Sequence, residues 1–155
     1  MSPEVGSVAP DFVLRNQNRE DVALSSFRGR RSALVVFFPF AFSGICTGEL
    51  NAVRDDLDSF QNDDVQVLAV SCDHPFALKA WADAQGYRFP LLSDFWPHGR
   101  VAGDYGVLNS GAGFAQRGTF LVDRAGVVRF AEVNAVGEVR DQDDWRRAVA
   151  ALADA

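Results

Sequence analysis

Six consecutive apolar residues, Ala33-Leu34-Val35-Val36-Phe37-Phe38, constrain this chain more than any other feature. A half-buried strand alternates apolar and polar residues, and a surface helix repeats its apolar positions every three to four. An unbroken apolar run of strand length matches neither pattern and predicts a central strand buried on both faces. Val65-Gln66-Val67-Leu68-Ala69-Val70 predicts a second such strand. Central strands of this kind need helices packed over the sheet, so the fold class is α/β. The chain has 155 residues, shows no internal repeat or linker, and reads as one domain, 1–155.

The remaining elements follow from shorter signals. Residues 12–24 read as a strand, a polar turn at Asn16-Gln17-Asn18 and a second strand. Leu50, Val53, Leu57 and Phe60 recur at helical spacing and predict one helix face, with Ser43 as its N-cap. Pro75 predicts the start of the next helix and Gly86 its end, with Leu78, Trp81 and Ala82 inward. Residues 101–105 predict a short helix. Asp123-Arg124-Ala125-Gly126 predicts a hairpin between 119–122 and 127–133. A last helix starts near Asp141, with Trp145, Val149 and Leu152 on one face.

Charge and composition remove several function classes. The net charge of -6 argues against nucleic-acid binding, which needs a basic face. The longest apolar run, residues 33–42, is too short to span a bilayer, and residues 1–6 lack the pattern of a secretory leader. Two cysteines without a leader point to a reducing compartment, so the expected localisation is cytoplasmic. Cys72-Asp73-His74 falls short of a metal-ligand pattern, and no glycine-rich loop precedes a helix; neither metal nor cofactor is expected.

The chemistry concentrates in Pro39-Phe40-Ala41-Phe42-Ser43-Gly44-Ile45-Cys46, directly after the buried strand. A proline ends that strand rigidly, and Cys46 arrives at a helix N-terminus. Unpaired N–H groups and the helix dipole favour a thiolate there. The competing reading of Cys46 alone is an inert core cysteine.

The spacing Pro39-x-x-x-Ser43-x-x-Cys46 resembles the active-site signature of peroxiredoxins (AhpC/TSA-like), and the whole chain is most similar to their one-cysteine AhpE-type branch. Phe37-Phe38-Pro39, residues 93–99 and Gly118-Thr119-Phe120 carry the likeness further. The resemblance implies a thioredoxin-like fold, a mixed central sheet flanked by helices with an N-terminal hairpin extension. It implies a thiol-dependent peroxidase that reduces hydrogen peroxide, organic hydroperoxides and peroxynitrite through a sulfenic acid on Cys46. The alternative is a peroxide-sensing relay that passes oxidation to a partner protein.

The same resemblance assigns roles. Ser43 and backbone N–H groups contact the peroxide, Pro39 shields the pocket, and Arg117 supplies the cation beside the thiolate. Glu49, one turn after Cys46, orients arginines; its competing reading is a solvated helix residue. Cys72 has two readings, a resolving cysteine or a small residue at a strand end. Asn51 and Ala82 stand where other members carry resolvers, so an external thiol is expected, either mycothiol with a mycoredoxin or a thioredoxin-like reductant. A homodimer or a ring of dimers is implied. The aromatic residues Phe38, Phe40 and Phe42 are expected to wall the site.

Overall fold

The structure, a computed structural model, describes residues 2–153. Its strands are β1 (Val13–Arg15), β2 (Asp21–Ala23), β3 (Ser32–Phe37), β4 (Val65–Ser71), β5 (Leu91–Ser93), β6 (Leu108–Asn109), β7 (Phe114–Ala115), β8 (Arg117–Val122) and β9 (Val128–Asn134). Its helices are α1 (Gly44–Asp55), α2 (Pro75–Gln85), α3 (Arg100–Asp104) and α4 (Gln142–Ala153). Seven strands form one mixed sheet in the order β2-β1-β5-β4-β3-β8-β9.

The apolar hexapeptide lies at the heart of this sheet, and every residue of β3 is buried. It pairs parallel with β4, from Ser32↔Val65 to Phe37↔Val70, and antiparallel with β8, from Ala33↔Val122 to Val36↔Thr119. Side chains of a strand alternate between faces, so β3 divides its residues between two cores. Leu34, Val36 and Phe38 join Leu50, Val53, Trp81 and Trp145 beneath α1, α2 and α4. Ala33, Val35 and Phe37 join Phe12, Tyr105, Val107 and Phe120 on the face of α3. That two-sided burial is the physical reason for a run with no polar residue.

Several expectations hold closely. Pro75 opens α2 and Gly86 closes it in the left-handed conformation (φ 72°), where a side chain would be strained. The β8–β9 hairpin, the short α3 and the N-terminal β1–β2 hairpin lie where the sequence predicts them. Two differ. The first helix stops at Asp55, so Leu57 and Phe60 reach the same core from a 3-10 turn and the residue after it. Asp56 leaves helical geometry there (ψ 44°), and the 3-10 turn that follows keeps Leu57 and Phe60 three residues apart on one side. The small β6–β7 hairpin was not foreseen, because two-residue strands have no periodicity to read.

Among the described residues, no helix is long and apolar enough to cross a membrane.

Candidate active site

The site forms where the C-terminal end of β3 meets the start of β8. The two strands are antiparallel neighbours, so the exit of one and the entry of the other share a sheet edge. Pro39 is buried just beyond β3. The chain then turns through Phe40 to Ser43 and enters α1, which carries Cys46 in its first turn. The first N–H groups of a helix have no intrahelical acceptor, so α1 presents donors and a positive dipole end beside this residue.

Arg117, the first residue of β8, reaches across to Cys46. Its Nη1 lies 3.4 Å from Cys46 Sγ, and both residues are buried. The same Nη1 donates to Glu49 Oε1 at 2.8 Å, and Nε donates to the Val136 carbonyl at 2.7 Å. Three bonds from one guanidinium fix its plane, which suits arginine and not lysine. Gly118 follows Arg117 at a close approach, since a Cβ there would meet Val107 Cγ1 at 2.7 Å.

Glu49 is not solvated. It is 3 % exposed and anchors the cluster. Burial works against its charge, but hydrogen bonds and charge from Arg140, then the charge of Arg117, outweigh it and hold the carboxyl below its usual range.

Arg140 is the member of this cluster that sequence reasoning missed. Its Nη2 donates to Glu49 Oε1 at 2.7 Å and its backbone N–H to Oε2 at 2.9 Å. Its Nη1 donates to the carbonyls of Phe37 and Gly118 and to Thr119 Oγ1, at 2.8, 3.1 and 3.2 Å. Arg140 therefore staples the ends of β3 and β8 together and presents Glu49 to Arg117. One signal was readable: an arginine just before a helix start opposes the dipole and requires a compensating anion.

Other predicted residues divide. Ser43 stands at the N-cap position with extended backbone, but its hydroxyl donates to the Phe40 carbonyl at 2.8 Å and caps no N–H. The tight Phe40–Ser43 turn brings that carbonyl closer than the helix amides. Phe38 is buried against Trp81, whereas Phe40 and Phe42 are 47 % and 58 % exposed, so the expected aromatic wall is one buried ring and two surface rings. The chain turns outward after Pro39 and carries both with it.

Cys46 belongs to the core on the α1, α2 and α4 face. Cys72 is buried just beyond β4, in the alternation that sends Leu68 and Val70 of that strand to the core on the opposite face. Burial, then the charges of Asp94 and Asp73, push the Cys72 thiol up to about 12. Both cysteines are free thiols.

Comparison with known proteins identifies the family. Residues 5–131 match the AhpC/TSA family. The chain is 57% identical over 148 residues to alkyl hydroperoxide reductase E of Mycobacterium tuberculosis, covering 96% of this chain and 97% of that protein. It is 31% identical over 160 residues to the chloroplastic 2-Cys peroxiredoxin BAS1 of Hordeum vulgare, covering 97% and 75%. Among solved structures, Enterococcus faecalis AhpC superposes with a TM-score of 0.86 at 28% identity, covering 97% of this chain and 92% of that one. Mycobacterium tuberculosis AhpC gives 0.83 at 27% identity, covering 99% of each. The sheet and its flanking helices are thus a thioredoxin-like fold, and the chain belongs to the AhpC/TSA family of peroxiredoxins, the thiol-dependent peroxidases.

Proposed function

We propose that Cys46 is the thiol that attacks the peroxide, and that the protein reduces alkyl hydroperoxides and hydrogen peroxide, with peroxynitrite as a further substrate. The observation that carries this reading is the Arg117 guanidinium 3.4 Å from Cys46 Sγ while Glu49 holds the same nitrogen. A positioned cation stabilises a thiolate and then the negative charge that develops on the departing oxygen.

The thiolate attacks the distal oxygen of ROOH. An S–O bond forms, the O–O bond breaks, and the leaving RO⁻ takes a proton to become ROH. Cys46 is left as a sulfenic acid. A thiol then condenses with it, releasing water and forming a mixed disulfide. A second thiol attacks that disulfide, and Cys46 returns as thiolate. The raised Cys72 pKa, and an alternation along β4 that turns Cys72 towards the core opposite Cys46, favour an external reductant over Cys72. Mycothiol with a mycoredoxin, or a thioredoxin-like protein, fits that role. The likeness to a mycobacterial alkyl hydroperoxide reductase supports the alkyl hydroperoxide class. A cytoplasmic homodimer or ring of dimers completes the reading, by family likeness.

Roles follow for the other residues. Arg117 is the charge-stabilising group, Ser43 and the α1 N–H groups contact the peroxide, Pro39 excludes water, and Glu49 with Arg140 positions Arg117.

The test is intact-mass analysis after one equivalent of hydroperoxide with a sulfenic-acid trap. Trapping at Cys46 within seconds, unchanged in Cys72→Ser and lost in Cys46→Ser, is the expected result. A mass loss of two hydrogens from a Cys46–Cys72 bond would reassign the reductant, and an unoxidised Cys46 would remove the peroxidase reading.

A further inference from the structure

The turn that leads from β3 into α1 is strained. Phe42 has φ 69°, the left-handed region that bulky residues rarely enter. Such a conformation persists only where its surroundings impose it. Three contacts surround it here. Ser43 Oγ donates to the Phe40 carbonyl at 2.8 Å, and the Phe42 ring packs on Trp81 with centroids 6.1 Å apart. The third contact comes from the bend just after β4: Asp73 Oδ2 accepts the Ala41 backbone N–H at 2.8 Å.

Asp73 is itself held firmly. The same Oδ2 accepts the Ser71 hydroxyl at 2.7 Å, and Ser71 Oγ accepts the Asp73 N–H at 3.2 Å. The Asp73 carbonyl accepts the Ser93 hydroxyl at 2.6 Å. Ser71 ends β4 and Ser93 ends β5, so two sheet strands lock the carboxylate from behind. A rigid acceptor therefore grips the one backbone N–H that precedes the strained residue.

We propose that Asp73 is a positioning residue of the peroxidase: it holds the Phe40–Ser43 turn so that Ser43 and the first N–H groups of α1 meet the peroxide in line with Cys46. This rests on the reading of Cys46 as the attacking thiol. Without the Ala41 bond, Phe42 relaxes out of the left-handed region and the donors after it shift. The thiolate remains beside Arg117, because Arg117 is fixed from β8 and by Glu49 and Val136. Peroxide reduction needs an accessible thiolate and the aligned donors, whereas alkylation needs the accessible thiolate without the donors.

The experiment compares two rates at Cys46, oxidation by hydrogen peroxide and alkylation by iodoacetamide, in the wild type, Asp73→Ala, Asp73→Asn and Ser71→Ala. Misplacement by about 1 Å lowers an aligned reaction by up to about 100-fold, so Asp73→Ala is expected to lower the oxidation-to-alkylation ratio by about 10- to 100-fold. Asp73→Asn keeps an oxygen acceptor for Ala41 and is expected to restore most of the ratio. Ser71→Ala loosens the carboxylate and gives a smaller fall in the same direction. An unchanged ratio in Asp73→Ala, or an Asp73→Asn protein as impaired as Asp73→Ala, overturns the proposal. If Asp73→Ala fails to fold, an unchanged ratio in Ser71→Ala overturns it instead. A wild-type protein whose Cys46 is not oxidised at all refutes the site reading, and is distinguished by that control.

Discussion

Arg140 holds Glu49 with both its side chain and its main chain: Nε, Nη2 and the backbone N–H lie 2.7 to 3.2 Å from the two carboxylate oxygens. The pair is buried, and Arg140 stacks over the Trp145 ring of α4 at 5.4 Å. A carboxylate gripped from one side offers its remaining capacity to Arg117, so the orientation of the cation at Cys46 is set by a residue 23 positions further along the chain.

Removing the anion exposes how much the cluster carries. Breaking one partner of a buried ion pair destabilises by about 3–5 kcal/mol, because the other charge stays buried. Glu49→Gln leaves two arginines uncompensated and is expected to lie in this range by denaturant unfolding at pH 7. It is also expected to slow Cys46 oxidation, since Arg117 loses the negative charge that orients it.

The same carboxylate gives an acid dependence. Its folded pKa is held below the ordinary value of 4.5, so the stabilisation is complete above about 4.5 and is lost as pH falls through the folded value. The stability gap between wild type and Glu49→Gln therefore narrows below pH 4.5. Denaturant midpoints from pH 7 to pH 3 measure it; a constant gap contradicts the assignment.

On the proposed mechanism, Arg117 stabilises the charge that develops during O–O cleavage. Loss of one such donor typically lowers a rate by about 100- to 1,000-fold. Arg117→Ala is expected to slow hydroperoxide reduction by about this factor while the protein stays folded. Unchanged kinetics would remove Arg117 from the mechanism.

Cys72 is expected to be silent. A thiol pushed up to about 12 is protonated at neutral pH and attacks neither a sulfenic acid nor a reagent efficiently. Cys72→Ser should turn over hydroperoxide with an external thiol at the wild-type rate. Under non-denaturing conditions, a thiol reagent should label Cys46 and spare Cys72.

Trp145 tests the link between α4 and the site. It is fully buried against Phe60 and beneath Arg140. Truncation of a buried tryptophan typically costs about 3–5 kcal/mol, so Trp145→Ala should fall in that range by thermal or denaturant unfolding. Trp145→Phe retains a ring face for Arg140 and should lose less.

The residues that were legible in advance share one property: each sits in a local pattern. The β3 run, Pro75, Gly86 and the Asp123–Gly126 turn act over a few residues, and the structure places their elements as expected. The Pro39–Cys46 segment is also local, and its likeness to peroxiredoxins carried Arg117 and Glu49 with it. What escaped was set by distance. Arg140 bonds to Phe37, 103 positions away, and no periodicity encodes such a contact. Ser43 was placed correctly, yet its hydroxyl chose a carbonyl in its own turn over a helix amide. Leu57 and Phe60 kept helical spacing outside the α-helix, because the core rewards the position of a side chain and a 3-10 turn delivers it as well.

The antiparallel pairing of β3 with β8 also governs when the sulfur meets its cation. Cys46 and Arg117 stand 71 positions apart, and Arg140 follows later still. A chain leaving the ribosome carries the cysteine long before either arginine exists. Until the whole sheet has closed, the thiol lacks its cation and behaves as an ordinary cysteine. On the proposed mechanism, fast reaction with peroxide is thus a certificate of completed folding: immature or partly unfolded molecules react only at the slow rate of an ordinary thiol.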